Sequence, residues 1–329
     1  MPIPKAELHL HVEGTLEPEL AFALAARNGV ALPFADTEAL REAYAFADLQ
    51  SFLDLYYRLM AVLRTEQDFT DLAEAYLLRA RADGVRHAEI FFDPQAHTAR
   101  GVPFATVVDG LHTALVGSRE RYGISTGLIM CFLRDEPVES AAATLLEAEP
   151  HLDKIIGVGL DSAEVGHPAA PFANVYRRAG ELGLHRVAHA GEEGPAANVR
   201  EVLDLLHVER VDHGIRALED PDLVARLRAE RIPLTVCPLS NVRLRAVDHL
   251  GFHPLRRMLE AGLVATVNSD DPAYFGGYVE ENYAGVEAAL ELTQDQLATL
   301  ARNSFEAAFL DEQTRAGYLA EVDAYVGEA

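Results

Sequence analysis

Residues 186–192 read Arg186-Val187-Ala188-His189-Ala190-Gly191-Glu192. A short apolar run closes on an imidazole, a glycine turns the chain, and a carboxylate follows. The same design recurs along the sequence. Apolar runs predict strands at Glu7–His11, Ala88–Asp93, Gly127–Phe132, Ile155–Asp161, Arg186–His189, Arg210–His213, Leu234–Cys237 and Ala265–Ser269. Most are apolar almost without a break, as strands covered on both faces are. Helical patterns fall between them. Leu49, Phe52, Leu53, Tyr56, Met60 and Leu63 recur at helical spacing, and Leu223 and Leu227 mark another amphipathic stretch. Alternating strands and helices imply a parallel α/β sheet, and eight such units favour closure into a (β/α)8 TIM barrel.

The pattern departs from regularity twice. About seventy residues separate the first strand from the second, which predicts a helical insertion over the barrel mouth, a candidate lid. An acidic, helical C-terminal tail follows the last strand from Glu280 onward. No repeat or linker interrupts the chain, so residues 1–329 are expected to form a single domain.

The bulk properties narrow the function. The net charge is −24, from 52 acidic and 28 basic residues, and such a surface repels polyphosphate backbones. The expectation is a small-molecule substrate, with no nucleic-acid partner and no membrane. Apolar runs such as Leu128–Leu133 fall far short of the roughly 18 residues a spanning helix needs. No apolar segment follows Met1-Pro2-Ile3-Pro4-Lys5, so the expected compartment is cytoplasmic. Cys131 and Cys237 sit in apolar, strand-like runs and read as buried, reduced thiols.

Chemistry gathers at one rim. A barrel of this type builds its active site at the C-terminal ends of its strands. There the sequence places His9-Leu10-His11, His189-Ala190-Gly191-Glu192, Asp212-His213-Gly214 and Ser269-Asp270-Asp271. Positions i and i+2 of a strand share a face, so His9 and His11 can hold one metal ion together. His189 and Asp270 add a third nitrogen and a carboxylate, a donor set suited to Zn²⁺. The surplus of acids and a spare His points to an open, hydrolytic site rather than a closed structural one, since zinc lowers the pKa of bound water to about 7. Glu192 is placed to act as acid or base, and His213 to orient or deprotonate the water. Two-metal barrels of this kind bridge their ions with a modified Lys at the end of strand four, a position that falls near Asp161. The only lysines are Lys5 and Lys154, each lying before its strand, so one metal ion per chain is expected.

Five stretches then resemble a known family. They are Glu7-Leu8-His9-Leu10-His11-Val12-Glu13-Gly14, His189-Ala190-Gly191-Glu192, Asp212-His213-Gly214, Cys237-Pro238-Leu239-Ser240-Asn241 and Asn268-Ser269-Asp270-Asp271-Pro272. In order and spacing they resemble the adenosine and adenine deaminases of the amidohydrolase superfamily. The resemblance implies a metal-dependent hydrolase barrel with His9, His11, His189 and Asp270 as zinc ligands. It implies that Glu192 protonates the purine at N1, that His213 orients or deprotonates the attacking water, and that Asp271 binds N7. Glu192, His213 and Asp270 would carry catalysis, ammonia would leave from C6, and a 6-oxopurine would remain.

The substrate follows from smaller differences. The nucleoside branch has Asp where this chain has Glu13, and the longer acid would fill space a ribose needs. The run Gly159-Leu160-Asp161-Ser162-Ala163-Glu164 looks shorter than in that branch and places Asp161 at the substrate. Phe52 and Leu53 fall where the family has an apolar lid. The stretches around Glu13 and Asp271 look most like bacterial and fungal adenine deaminases. The expectation is therefore hydrolysis of adenine to hypoxanthine and ammonia, a purine-salvage step. The alternatives are a deaminase of adenosine or of a modified nucleoside such as aminodeoxyfutalosine and, more remotely, a metal-dependent phosphoesterase or a non-catalytic binding protein.

Overall fold

The computed structural model describes residues 2–328. Eight strands lie side by side in chain order, all parallel. They are β1 (Lys5–Glu7), β2 (Val85–Phe92), β3 (Ser125–Leu133), β4 (Gly157–Asp161), β5 (His185–Ala190), β6 (Arg210–His213), β7 (Leu234–Val236) and β8 (Ala265–Val267). The seam between β1 and β8 closes just above the strands. Leu10 bridges Asp270, the His11 amide donates to the Asp270 carbonyl (3.0 Å), and the Asp270 amide donates to that of His9 (3.1 Å). Inside the barrel Phe91, Ile129, Cys131 and Val187 form their own apolar cluster, separate from the larger core beneath the helices. Both cysteines are buried and free.

The predicted strands stand where expected, with ends other than that of β1 displaced by at most three residues. The largest change is at β1, predicted to run on to His11. Its regular ladder stops at Glu7, because the Asn268 side chain takes the Leu8 amide (2.8 Å), and bridging resumes at Leu10 and His11. His9 and His11 therefore leave from the end of the strand rather than from its regular part.

Four helices separate β1 from β2: α1 (Pro18–Asn28), α2 (Thr37–Glu42), α3 (Leu49–Leu59) and α4 (Glu66–Ala82). α3 begins at a reciprocal cap between Asp48 and Ser51, and Leu49, Phe52, Leu53 and Tyr56 are all buried on it. A helix lying on the surface would expose part of such a face, and this one covers the barrel mouth. The C-terminal segment is more than a tail. Its helix Gln294–Glu306 packs across both β8 and β1. There Asn303 donates to the Ala265 carbonyl (2.9 Å), and the Ala6 amide donates to the Ser304 hydroxyl (2.8 Å). It clamps the seam that the short first and last strands leave weak. No helix among the described residues is long and apolar enough to cross a membrane.

Candidate active site

The rim of the barrel brings the predicted residues together. His9, His11, His189 and Asp270 are all buried, and one donor atom from each lies within 4.8 Å of every other. The spacings are tighter than that limit: His9 Nε2 to Asp270 Oδ1 3.3 Å, His11 Nε2 to Asp270 Oδ1 3.5 Å, and His11 Nε2 to His189 Nε2 3.3 Å. Ligands held 2.0–2.1 Å from a tetrahedral zinc ion stand about 3.3 Å apart, so the donor set has the dimensions of a metal site. His9 Nε2 is buried with no hydrogen-bond partner, which is costly unless a cation takes its lone pair.

Partners behind the imidazoles aim them. His9 Nδ1 meets the Thr235 hydroxyl (3.0 Å), which donates onward to Asp212 (2.8 Å). That leaves Nε2 unprotonated and facing the cluster. Asp212 also lies 3.6 Å from His189 Nδ1, and Asp161 lies 3.5 Å from His11 Nδ1. Asp270 and His213 both adopt the left-handed backbone region, at φ 65° and 62°. This conformation is uncommon and strained outside glycine, and at Asp270 it turns two successive carboxylates into the mouth.

A cavity opens above the cluster. His11, His189, Glu192, His213, Asp270 and Asp271 line it from the barrel, and Leu49, Phe52, Leu53, Tyr56 and Tyr57 close it from α3. Phe52 and Leu53 are thus part of the site as well as of the helix core. Burial pushes the Glu192 carboxyl well above its usual range, with Asp270 and its neighbours Glu193 and Glu164 adding to the shift. Burial does the same to Asp271, again reinforced by Asp270. His213 moves the other way, down to about 3, through burial and the nearby His9. Its Nε2 lies 3.4 Å from Glu192. Two carboxyls shifted toward their protonated forms and an imidazole shifted toward its neutral form thus face one cavity.

Glu13 behaves differently from the expectation. It is fully buried, but it does not line the cavity. Its carboxylate accepts from His97 Nε2 (2.8 Å) and from the Asp93 amide (3.2 Å), one layer behind the site. The cavity wall on this side is instead formed by Asp93, Asp161, Ser162 and the α3 side chains. Asp161 lines the cavity as expected, and burial raises its carboxyl to about 7. Asp93 was missed, although it directly follows β2 at the same rim and the strand-end rule would have found it. Tyr56, Tyr57 and Leu244 were beyond reach, because nothing local distinguishes a cavity-lining side chain from a core one. Neither lysine approaches the site. Lys5 donates to the Asp83 carbonyl (2.7 Å), and Lys154 pairs with Asp109 (2.6 Å).

The comparisons with known proteins agree with this geometry. The family model for adenosine deaminase matches residues 4–325. The chain belongs to the adenosine deaminase family. Within it, an adenine deaminase of Streptomyces coelicolor is 71% identical over 99% of this chain and 96% of its own length. One from Sphingopyxis alaskensis is 62% identical over 98% and 95%. The crystal structure of an adenine deaminase from Arthrobacter aurescens superposes with a TM-score of 0.98 at 59% identity, covering 99% of both chains. An amidohydrolase from Burkholderia ambifaria, solved with bound zinc, gives 0.90 at 30% identity over 99% of this chain and 92% of its own. This member of the family is a hydrolase with a buried donor set consistent with a divalent metal.

Proposed function

We propose that the chain, acting as one catalytic domain, removes the amino group of adenine by hydrolysis, giving hypoxanthine and ammonia, with one zinc ion per chain. His9, His11, His189 and Asp270 hold the metal, which when bound supplies an activated water and Lewis acidity beside C6. The observation that carries this is the convergence on one closed cavity of that donor set with two buried carboxyls, Glu192 and Asp271, both shifted toward their protonated forms.

The residues divide the work by position. Glu192 donates its proton to N1 as water adds to C6, so the ring nitrogen does not develop negative charge in a buried cavity already rich in carboxylates. That proton remains on N1 of hypoxanthine. Asp271 donates to N7 and fixes the ring in register. His213, neutral and next to Glu192, orients the water. Of the water's two protons, one restores the Glu192 carboxyl and the other passes to the departing amine, which leaves as ammonia. Phe52, Leu53 and Tyr56 cover the ring and exclude bulk water.

Adenine is favoured over adenosine by the enclosure. The wall beyond the metal is made of Asp93, Asp161 and the α3 lid, and Glu13 supports it from behind through Asp93. The same relation to the curated adenine deaminases supports the choice. Ammonia release by the zinc-loaded protein from adenine and adenosine, measured side by side, tests it. A strong preference for adenine is expected, and faster release from adenosine would overturn the substrate assignment.

A further inference from the structure

Glu192 has a precise task but almost nothing holding its side chain. Its Oε1 is buried without a partner, and its Oε2 reaches only His213 Nε2, at 3.4 Å. Its placement must come from the backbone. That backbone is unusual. The four successive amides of Gly191, Glu192, Glu193 and Gly194 all donate to a single carboxylate, that of Glu164, at 2.8, 3.2, 3.1 and 2.8 Å. Asn198 Nδ2 adds a fifth bond at 2.9 Å. Converging amides of this kind form an anion cradle, and here the anion is the protein's own. The fit leaves no slack: a Cβ on Gly194 would stand 2.5 Å from Glu164 Oε1 and 2.2 Å from Asn198 Nδ2.

The cradle is itself anchored. Arg134 donates to the His189 carbonyl at one end of the turn and to the His167 carbonyl in the loop that carries Glu164, both at 2.8 Å. Glu164 and Arg134 are buried, so these bonds are shielded from competing water.

We propose that Glu164 is a positioning residue for the reaction: by gathering the Gly191–Gly194 amides it fixes the turn from which Glu192 reaches the purine. The proposal rests on Glu192 being the proton donor. Glu164→Gln keeps the shape but turns one acceptor into an amide that confronts donors. The turn then relaxes, and Glu192 loses its aim. A displacement of about 1 Å at a reacting group costs on the order of a hundredfold in rate.

The test is a double-mutant cycle on adenine deamination, using wild type, Glu164→Gln, Glu192→Gln and the double variant, with zinc content measured for each. Glu164→Gln is expected to lower kcat about tenfold to a hundredfold while zinc stays at the wild-type level. In the Glu192→Gln background the same change should cost no more than about threefold, because the group it aims is already gone. An unchanged kcat, an equal loss in both backgrounds, or zinc lost along with activity would each overturn the proposal. Should Glu164→Gln fail to fold, Glu164→Asp keeps the charge and shortens the reach. Its kcat should fall about threefold to tenfold below wild type with zinc retained, and a wild-type kcat would overturn the proposal. Wild-type protein that releases no ammonia from adenine would overturn the functional reading and this one with it, whereas active wild type matched by Glu164→Gln would overturn this one alone.

Discussion

Both ends of this barrel bury charge, and they treat it in opposite ways. Toward the N-terminal end of the strands, Arg210 is fully buried, and its guanidinium reaches the Glu89 carboxylate (2.6 Å) and the carbonyls of Leu8 (3.2 Å) and Ala307 (3.3 Å). Glu89 also takes the Phe309 amide (2.6 Å) and His87 Nε2 (3.2 Å). At the C-terminal rim, His9 Nε2, both oxygens of Asp161, Glu192 Oε1 and Asp271 Oδ1 make no hydrogen bond. Burying an unpaired polar group costs free energy, and a group of them around one cavity is expected where a ligand completes them. At the first end the opposite charges of Arg210 and Glu89 are paired with one another, although Arg210 Nε makes no hydrogen bond. Unsatisfied charge marks the end that meets metal and substrate.

The comparison can be broken at either end. The largest effect belongs to the donor cluster. His9→Ala should lose both zinc and activity down to background, as elemental analysis beside an ammonia assay will show, and unchanged zinc would remove His9 from the ligand set. Next comes Glu192→Gln. It should keep zinc and fold while kcat falls by about 10²- to 10⁴-fold, the usual contribution of a positioned acid. Retention of most of the rate would end the proton-donor assignment.

The smallest effect on chemistry belongs to the opposite end. Arg210→Met strands the Glu89 charge in the core and should cost about 3–5 kcal/mol of stability in urea unfolding, with zinc retained by the folded protein. Adding Glu89→Leu should restore much of that loss. The pH dependence gives the sign. Burial alone would raise the Glu89 carboxyl, but Arg210 and His87 outweigh it and hold the group down at about 2, from 4.5. Its contribution to stability is therefore complete above about pH 4.5 and fades as the pH falls toward 2. Wild type should lose stability across that window more steeply than the Arg210→Met/Glu89→Leu protein, and parallel curves would count against the pairing.

Sequence reasoning reached unevenly into this site. The ligands and Glu192, His213 and Asp271 were legible because strand ends are local: an apolar run, then a polar residue, at a rim the barrel topology brings together. Glu13 was legible as a special residue but not as to what it touches. Its partner His97 lies in the segment after β2, 84 positions away, and only the closed barrel brings the two together. Glu164 was quoted merely as the end of a short run. Nothing at position 164 announces that four amides some thirty residues later will converge on it.

The sequence by itself determined the parallel barrel, the rim and the identity of the groups facing it, because periodicity and residue chemistry act over a few neighbouring positions. Tertiary structure decided the rest. It set which carboxylates are left unpaired, which support others from behind, and how α3 and the Gln294–Glu306 helix close the mouth and the seam. Those outcomes depend on desolvation and on contacts between residues far apart in the chain, and both exist only after the barrel has closed.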